Sequence, residues 1–188
     1  MLDTAIKAAK IGGQIIFEHW RKESPKSVAI KSDSDYVTEI DRQSQSAIIE
    51  FIRKCHPHHA IMAEETEEEL SGSEYRWIID PLDGTTNYIH GLPVFAVSVA
   101  VEKLEENPSG IGEIIAGAVF DPVREDIYYA EKGAGAFRNG KKIQVSGRND
   151  MKSALLATGF PFRDKDYLET FFRIFRSMFE VCSDIRRA

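Results

Sequence analysis

The stretch WIIDPLDGTTNYIH, residues 77–90, constrains this chain more than any other. Ile78 and Ile79 continue an apolar strand. Asp80 is expected to end it, because Pro81 has no backbone N–H to donate to a ladder. Asp83 returns a second carboxylate three residues after the first. Gly84, Thr85, Thr86 and Asn87 then supply the permissive backbone and side-chain oxygens that open a helix. Two acids aimed at a helix N-terminus are in conflict, since they repel each other while the first-turn amides attract an anion. A divalent cation carrying a phosphate resolves both problems.

The flanking segments read as a strand-rich domain with helices ahead of it. Leu2, Ala5, Ile6, Ala9, Ile16, Phe17 and Trp20 recur at helical spacing, which predicts an amphipathic helix over 2–20 loosened at Gly12 and Gly13. Residues 21–37 carry Pro25 and a polar run through Lys31, and read as a loop with an extended piece at 28–30. Residues 38–41 fit a capping box with Asp in place of Glu, so Asp41 falls in the first turn of a second helix that ends near His56 and Pro57. The apolar run 60–63 predicts a buried strand delivering Glu64 and Glu65 at its end. Residues 65–69 are a charge run, read as a solvated face without a catalytic role. Strands follow at 75–79, 95–101, 114–120, 127–130, 136–138 and 142–145 in an antiparallel pattern, with Asn139-Gly140 as a tight turn. From Ser153 the character changes to a strand at 154–157, a turn, and a helix at 167–181 with Leu168, Phe171, Phe172, Phe175 and Phe179 on its apolar face. Two domains are expected, an α+β metal- and phosphate-binding unit over 1–150 and the start of a second unit over 151–188.

Metal-assisted phosphate chemistry needs hard oxygen ligands from separate segments converging on one point. Glu64 and Asp80 each follow a strand and lie sixteen residues apart, so a sheet that pairs the two strands brings them together. Asp83 joins through the turn, whose irregular geometry can also turn the Leu82 carbonyl inward. Other chemistries lack their signatures. There is no complete Gly-x-Gly-x-x-Gly, no Walker sequence and no Gly-x-Ser-x-Gly elbow around Ser98. His56, His58 and His59 straddle Pro57 and have no helical or cysteine partners of the kind a transition-metal site uses. Cys55 and Cys182 form no disulfide framework. A net charge of -6 argues against a general nucleic-acid binder, yet not against a phosphorylated substrate, whose bound Mg2+ reverses the local sign. No run of about 18 apolar residues provides a membrane span. The N-terminus lacks a signal-peptide layout, so a cytoplasmic protein is expected.

Residues 80–87, preceded by Ala63-Glu64-Glu65-Thr66 and followed by 91–98 and 132–140, resemble the inositol monophosphatase family in the family's order. The departures are Ala63 where Gly is common and Thr66 where Ser is frequent. The resemblance implies a layered α/β/α/β/α sandwich of the sugar-phosphatase type, with an antiparallel sheet in the N-terminal part. It implies a Mg2+-dependent phosphoric monoester hydrolase, with two or three ions, acting on inositol monophosphate or a related sugar phosphate by metal-activated water attack, and a homodimer. Glu64, Asp80, the Leu82 carbonyl and Asp83 would be metal ligands. Thr85 coupled to Asp41, with Glu64, would activate the water. Lys31, Gly84, Thr85 and Thr86 would face the substrate. The family continues beyond the segment matching 183–188 to a Trp-Asp motif carrying one more carboxylate, whereas the tryptophans here are Trp20 and Trp77. A fragment or a truncated product with an incomplete second unit is therefore expected, leaving the phenylalanine face of 167–181 short of partners. Two alternatives stand beside this reading. One is a catalytically impaired phosphatase scaffold with a binding or regulatory role. The other is a phosphatase for fructose 1,6-bisphosphate, a 3'-phosphonucleotide or histidinol phosphate.

Overall fold

In the computed structural model, residues 1–22, 28–32, 35–63, 66–69, 73–104, 112–161 and 164–187 are described. In chain order the elements are α1 (Leu2–Lys22), β1 (Val28–Ser32), β2 (Asp35–Thr38), α2 (Glu39–Cys55), β3 (Ala60–Ala63), β4 (Thr66–Glu69), β5 (Tyr75–Asp83) and α3 (Thr85–Ile89). Strands β6 (Ala96–Lys103), β7 (Glu113–Asp121), β8 (Asp126–Glu131), β9 (Gly135–Arg138) and β10 (Lys141–Ile143) follow. The chain closes with β11 (Leu155–Ala157), α4 (Leu168–Phe179) and β12 (Asp184–Arg186).

Strands β3 to β10 form one eight-stranded sheet in the order β10-β9-β8-β7-β6-β5-β3-β4. Its pairings are antiparallel except that β3 runs parallel to β5, so the sheet is mixed rather than wholly antiparallel. Alternation along the strands decides which face is apolar. Trp77, Ile79, Val97, Val99, Val101, Ala116, Ala118 and Ile127 are buried and share one core cluster with Ala5, Ala8, Ala9 and Ile16 of α1 and Ile48 and Ile52 of α2. Burying each of the larger aliphatic side chains contributes about 1.5–3 kcal/mol.

Gly12 and Gly13 do not loosen α1. A Cβ on Gly12 would lie 2.6 Å from both Ile48 Cδ1 and Ser44 Oγ, and one on Gly13 would lie 2.3 Å from Phe120 Cδ1. The two glycines let α2 and β7 approach the helix more closely than a side chain would permit. Residues 66–69 of the charge run form β4, an edge strand of the sheet. Residues 21–37, read as a loop with an extended piece at 28–30, contain β1, which includes that piece, and part of β2, and the two pair as a two-stranded sheet. The turn between β9 and β10 has Asn139 and Gly140 both at positive φ, the conformation that a tight hairpin of this kind requires.

The chain divides into a unit of residues 1–29 and 36–143 and a unit of residues 30–35 and 144–188. In the second unit β11 lies parallel to β12, a strand that the sequence reading had not assigned. Phe160, Phe171, Phe175 and Phe179 form a chain of ring contacts at 5.7, 5.9 and 6.1 Å. Phe172, Ile174 and Phe179 of α4 are exposed. Among the described residues no helix is long and apolar enough to cross a membrane.

Candidate active site

Strand β5 does not stop at Asp80. It runs through Pro81 and Leu82 to Asp83, and the register against β6 shows how. Asp80 pairs with Ser98 and Asp83 with Ala96, so Pro81 and Leu82 stand against the single residue Val97. One extra residue makes a bulge, where an unpaired N–H position costs nothing and proline is tolerated. On the other edge of β5 the pairing with β3 ends at Ala63 and Ile79, ahead of the proline. The proline therefore displaces the strand locally rather than ending it.

The bulge is anchored from the helix side. Ser44 Oγ donates to the Pro81 carbonyl at 3.0 Å, and both residues are buried. Ser44 lies one turn after Asp41 on the same inward face of α2, and Asp41 is 2% exposed. That bond holds the first turn of α2, with its buried carboxylate, against the strand that bears Asp80.

Within the turn the acids and the backbone are linked. The Leu82 N–H donates to Asp80 Oδ1 at 3.2 Å, and Thr85 Oγ1 donates to the Leu82 carbonyl at 2.9 Å. The Leu82 carbonyl has a second lone pair beyond the one that Thr85 uses. The Leu82 side chain is buried and Asp83 is exposed. Gly84 caps α3 with φ 89 and ψ 31, and a Cβ there would meet the Val94 carbonyl oxygen at 2.9 Å. Only glycine fits both the dihedral and the space. At the far side of α3, Tyr88 is buried and its hydroxyl donates to the Ile16 carbonyl at 3.0 Å. Burial pushes the Tyr88 phenol up to about 12.

The donor set fits a hard divalent cation. Asp80 and Asp83 offer carboxylate oxygens and Leu82 a carbonyl oxygen, the ligand types that Mg2+ selects, and all three belong to one bulged turn. Among the described residues no three acid, histidine or cysteine side chains gather around one point. Glu64, the third expected carboxylate, lies outside the described residues, as does Glu65. Lys31 is in β1, but its side chain lies outside what is described. Thr86 is exposed, and its carbonyl accepts from His90 Nδ1 at 2.7 Å.

Two residues of this region went unread in the sequence. Ser44 could have been found from its position three residues after Asp41 on the buried face. Asn87, read only as an oxygen-bearing helix opener, donates through Nδ2 to the Val94 carbonyl at 2.8 Å, and nothing local in the sequence signals that contact.

The three histidines sit at the opposite end of β5. His56 stacks on His59 at 4.7 Å, and His59 stacks on Tyr75 at 5.1 Å. Trp77 Nε1 donates to His59 Nδ1 at 3.1 Å, so that nitrogen carries no proton. Burial first, and then the neighbouring positive charges of His56, the amino terminus and His58, hold His59 below its ordinary value.

The sequence profile of the Inositol monophosphatase family matches residues 1–188. The Nus factor SuhB of Pseudomonas aeruginosa is 44% identical over 193 residues, an alignment covering 100% of this chain and 69% of that protein. A fructose-1,6-bisphosphatase/inositol-1-monophosphatase of Aquifex aeolicus is 41% identical and matches 99% of this chain and 68% of its own length. Among solved structures, the extragenic suppressor protein suhB of Bartonella henselae superposes with a TM-score of 0.87 at 33% identity, over 98% of this chain and 68% of that one.

Proposed function

The chain belongs to the inositol monophosphatase family, and from that premise we propose that it is a Mg2+-dependent phosphomonoesterase acting on inositol monophosphate or a related sugar phosphate. The observation that carries this reading is the bulge in β5, which puts Asp80, the Leu82 backbone and Asp83 into one turn beside the end of β3, where the chain continues to Glu64. Asp80, Asp83, the Leu82 carbonyl and Glu64 would hold the ions, two or three in number. Bound Mg2+ supplies charge neutralisation at the phosphate and acidifies coordinated water.

The remaining work falls to the chain's own groups. Gly84 and Thr85 amides, with Thr86 and Lys31, receive and orient the phosphate. Thr85 and Asp41 would set the direction of water attack, Asp41 as the buried carboxylate of α2 and Thr85 as the hydroxyl at the start of α3. In the present arrangement that hydroxyl donates to Leu82, so its oxygen lone pairs are available to accept. A cytoplasmic homodimer is part of the same proposal.

A second reading is favoured by the name of the 44% identical relative, a Nus factor. On that reading the scaffold keeps its ligands and serves a binding or regulatory role. One assay separates the two. Phosphate release is followed from inositol 1-phosphate, fructose 1,6-bisphosphate, a 3'-phosphonucleotide and histidinol phosphate while Mg2+ is titrated. Mg2+-dependent release from one of them supports the enzyme. Mg2+ binding without release from any supports the scaffold.

A further inference from the structure

The carbonyl oxygen of Val94 occupies the space that a side chain at residue 84 would need, 2.9 Å from the ideal Cβ position, with Phe95 Cα at 3.3 Å. Because residue 84 has no side chain, the segment ending in Val94 and Phe95 can lie directly against this left-handed turn, and so packed it limits where the turn can move. What keeps the segment there is visible. Asn87 Nδ2 donates to that same Val94 oxygen at 2.8 Å, and the Asn87 carbonyl accepts from Leu92 N at 2.8 Å. Val94 N donates to the Leu92 carbonyl at 2.8 Å, closing the segment on itself. Arg124 Nη1 reaches the Pro93 carbonyl at 3.5 Å, a longer and more exposed contact. Asn87 thus grips residues 92–94 with both its side chain and its backbone, and α3 carries that grip back to Gly84 within one turn, where the Tyr88 N–H donates to the Gly84 carbonyl at 2.9 Å.

We propose that Asn87 is a positioning residue of the site: through the Val94 carbonyl it fixes the Gly84 turn, and with it the Asp83 carboxylate and the Thr85 hydroxyl on either side. The inference rests on the functional reading above for what Asp83 and Thr85 do, and on geometry alone for what Asn87 holds. Its side chain donates where a leucine of nearly the same shape cannot, and a glutamine can still donate from a displaced position.

The test is made on the whole 188-residue chain with Asn87→Leu and Asn87→Gln, using two readouts. Amide hydrogen exchange at residues 84–94 reports the hold on the turn, and calorimetric titration with MgCl2 reports the ligand geometry. Asn87→Leu is expected to speed exchange at these amides while leaving exchange in β6 and β7 unchanged. It is expected to weaken Mg2+ binding by roughly 10- to 100-fold, the range for losing a group that supports a metal ligand. Asn87→Gln is expected to recover part of both losses, which a merely structural role would not require. Unchanged exchange at residues 84–94 in Asn87→Leu overturns the proposal, and so does faster exchange with undiminished Mg2+ affinity. Should Asn87→Leu fail to fold, Asn87→Ser carries the same comparison. If the unaltered chain binds no Mg2+, the functional reading fails, and the exchange result still decides whether Asn87 holds the turn.

Discussion

Ala63 and Ile79 are partners across the parallel strands β3 and β5, the last pair of that ladder. A parallel pair leaves both chains at the same edge of a sheet, and here the residues that follow are Glu64 on one side and Asp80 on the other. An antiparallel pairing of the same two strands would have sent the acids to opposite edges. Glu64→Gln is expected to weaken Mg2+ binding by at least about tenfold while leaving the thermal midpoint of the metal-free chain unchanged. Calorimetric titration of both chains checks this.

Ser44 ties the proline bulge to α2 through a buried hydrogen bond to the Pro81 carbonyl. Ser44→Ala strips that carbonyl of its side-chain donor in a place water cannot easily reach. It is expected to lower the unfolding free energy by about 1–3 kcal/mol. Urea denaturation monitored by tryptophan fluorescence measures it, with Trp77 fully buried on the affected strand.

Gly84→Ala meets two obstacles at once, a left-handed backbone and the Val94 oxygen at 2.9 Å. The dihedral alone costs about 1–2 kcal/mol in a non-glycine residue. A stability loss at or above that range is expected, together with weaker Mg2+ binding, because Asp83 moves with the turn. Equilibrium unfolding and calorimetry on one preparation report both effects.

The histidine stack makes stability depend on pH. Burial holds His56 and His59 below the ordinary histidine value of 6.5. As pH falls below that value the unfolded chain takes up protons before the folded one, and the equilibrium shifts toward unfolding. The stability is therefore present above 6.5 and lost as the pH falls through the lower folded values. The urea midpoint is expected to decline as the pH falls below about 6.5, more steeply than in His59→Gln. Protonation of His59 Nδ1 also removes the acceptor for Trp77 Nε1, so the tryptophan emission should shift over the same interval.

Much of this architecture was legible in the residues because it depends on local chemistry. The strands read at 95–101 and 114–120, the Asn139-Gly140 turn and the placement of Asp41 in a first helical turn follow from β-rich runs, turn chemistry and capping. Proline was the misleading signal at the site. It removes a donor, which reads as a stop, yet the register of β5 against β6 had already placed an unpaired position there. Gly12 and Gly13 misled for a similar reason, since their function is the closeness of Ile48, Ser44 and Phe120, all distant in sequence. Strand β12 and the Asn87 contact escaped because each depends on a partner brought in by the fold. The expected ligands were read from the strand ends and the turn and again from the resemblance, while the linkage among Asp80, Leu82 and Thr85 came from the structure.

The role proposed for the carboxylates of this turn is Mg2+-dependent phosphate ester hydrolysis. Its most direct test is phosphate release from inositol 1-phosphate by the protein carrying this sequence, measured across a Mg2+ titration beside Asp83→Ala. Release is expected to rise with Mg2+, to vanish with EDTA, and in Asp83→Ala to stay at the EDTA level at every Mg2+ concentration. Release by Asp83→Ala equal to that of the unaltered protein would contradict it.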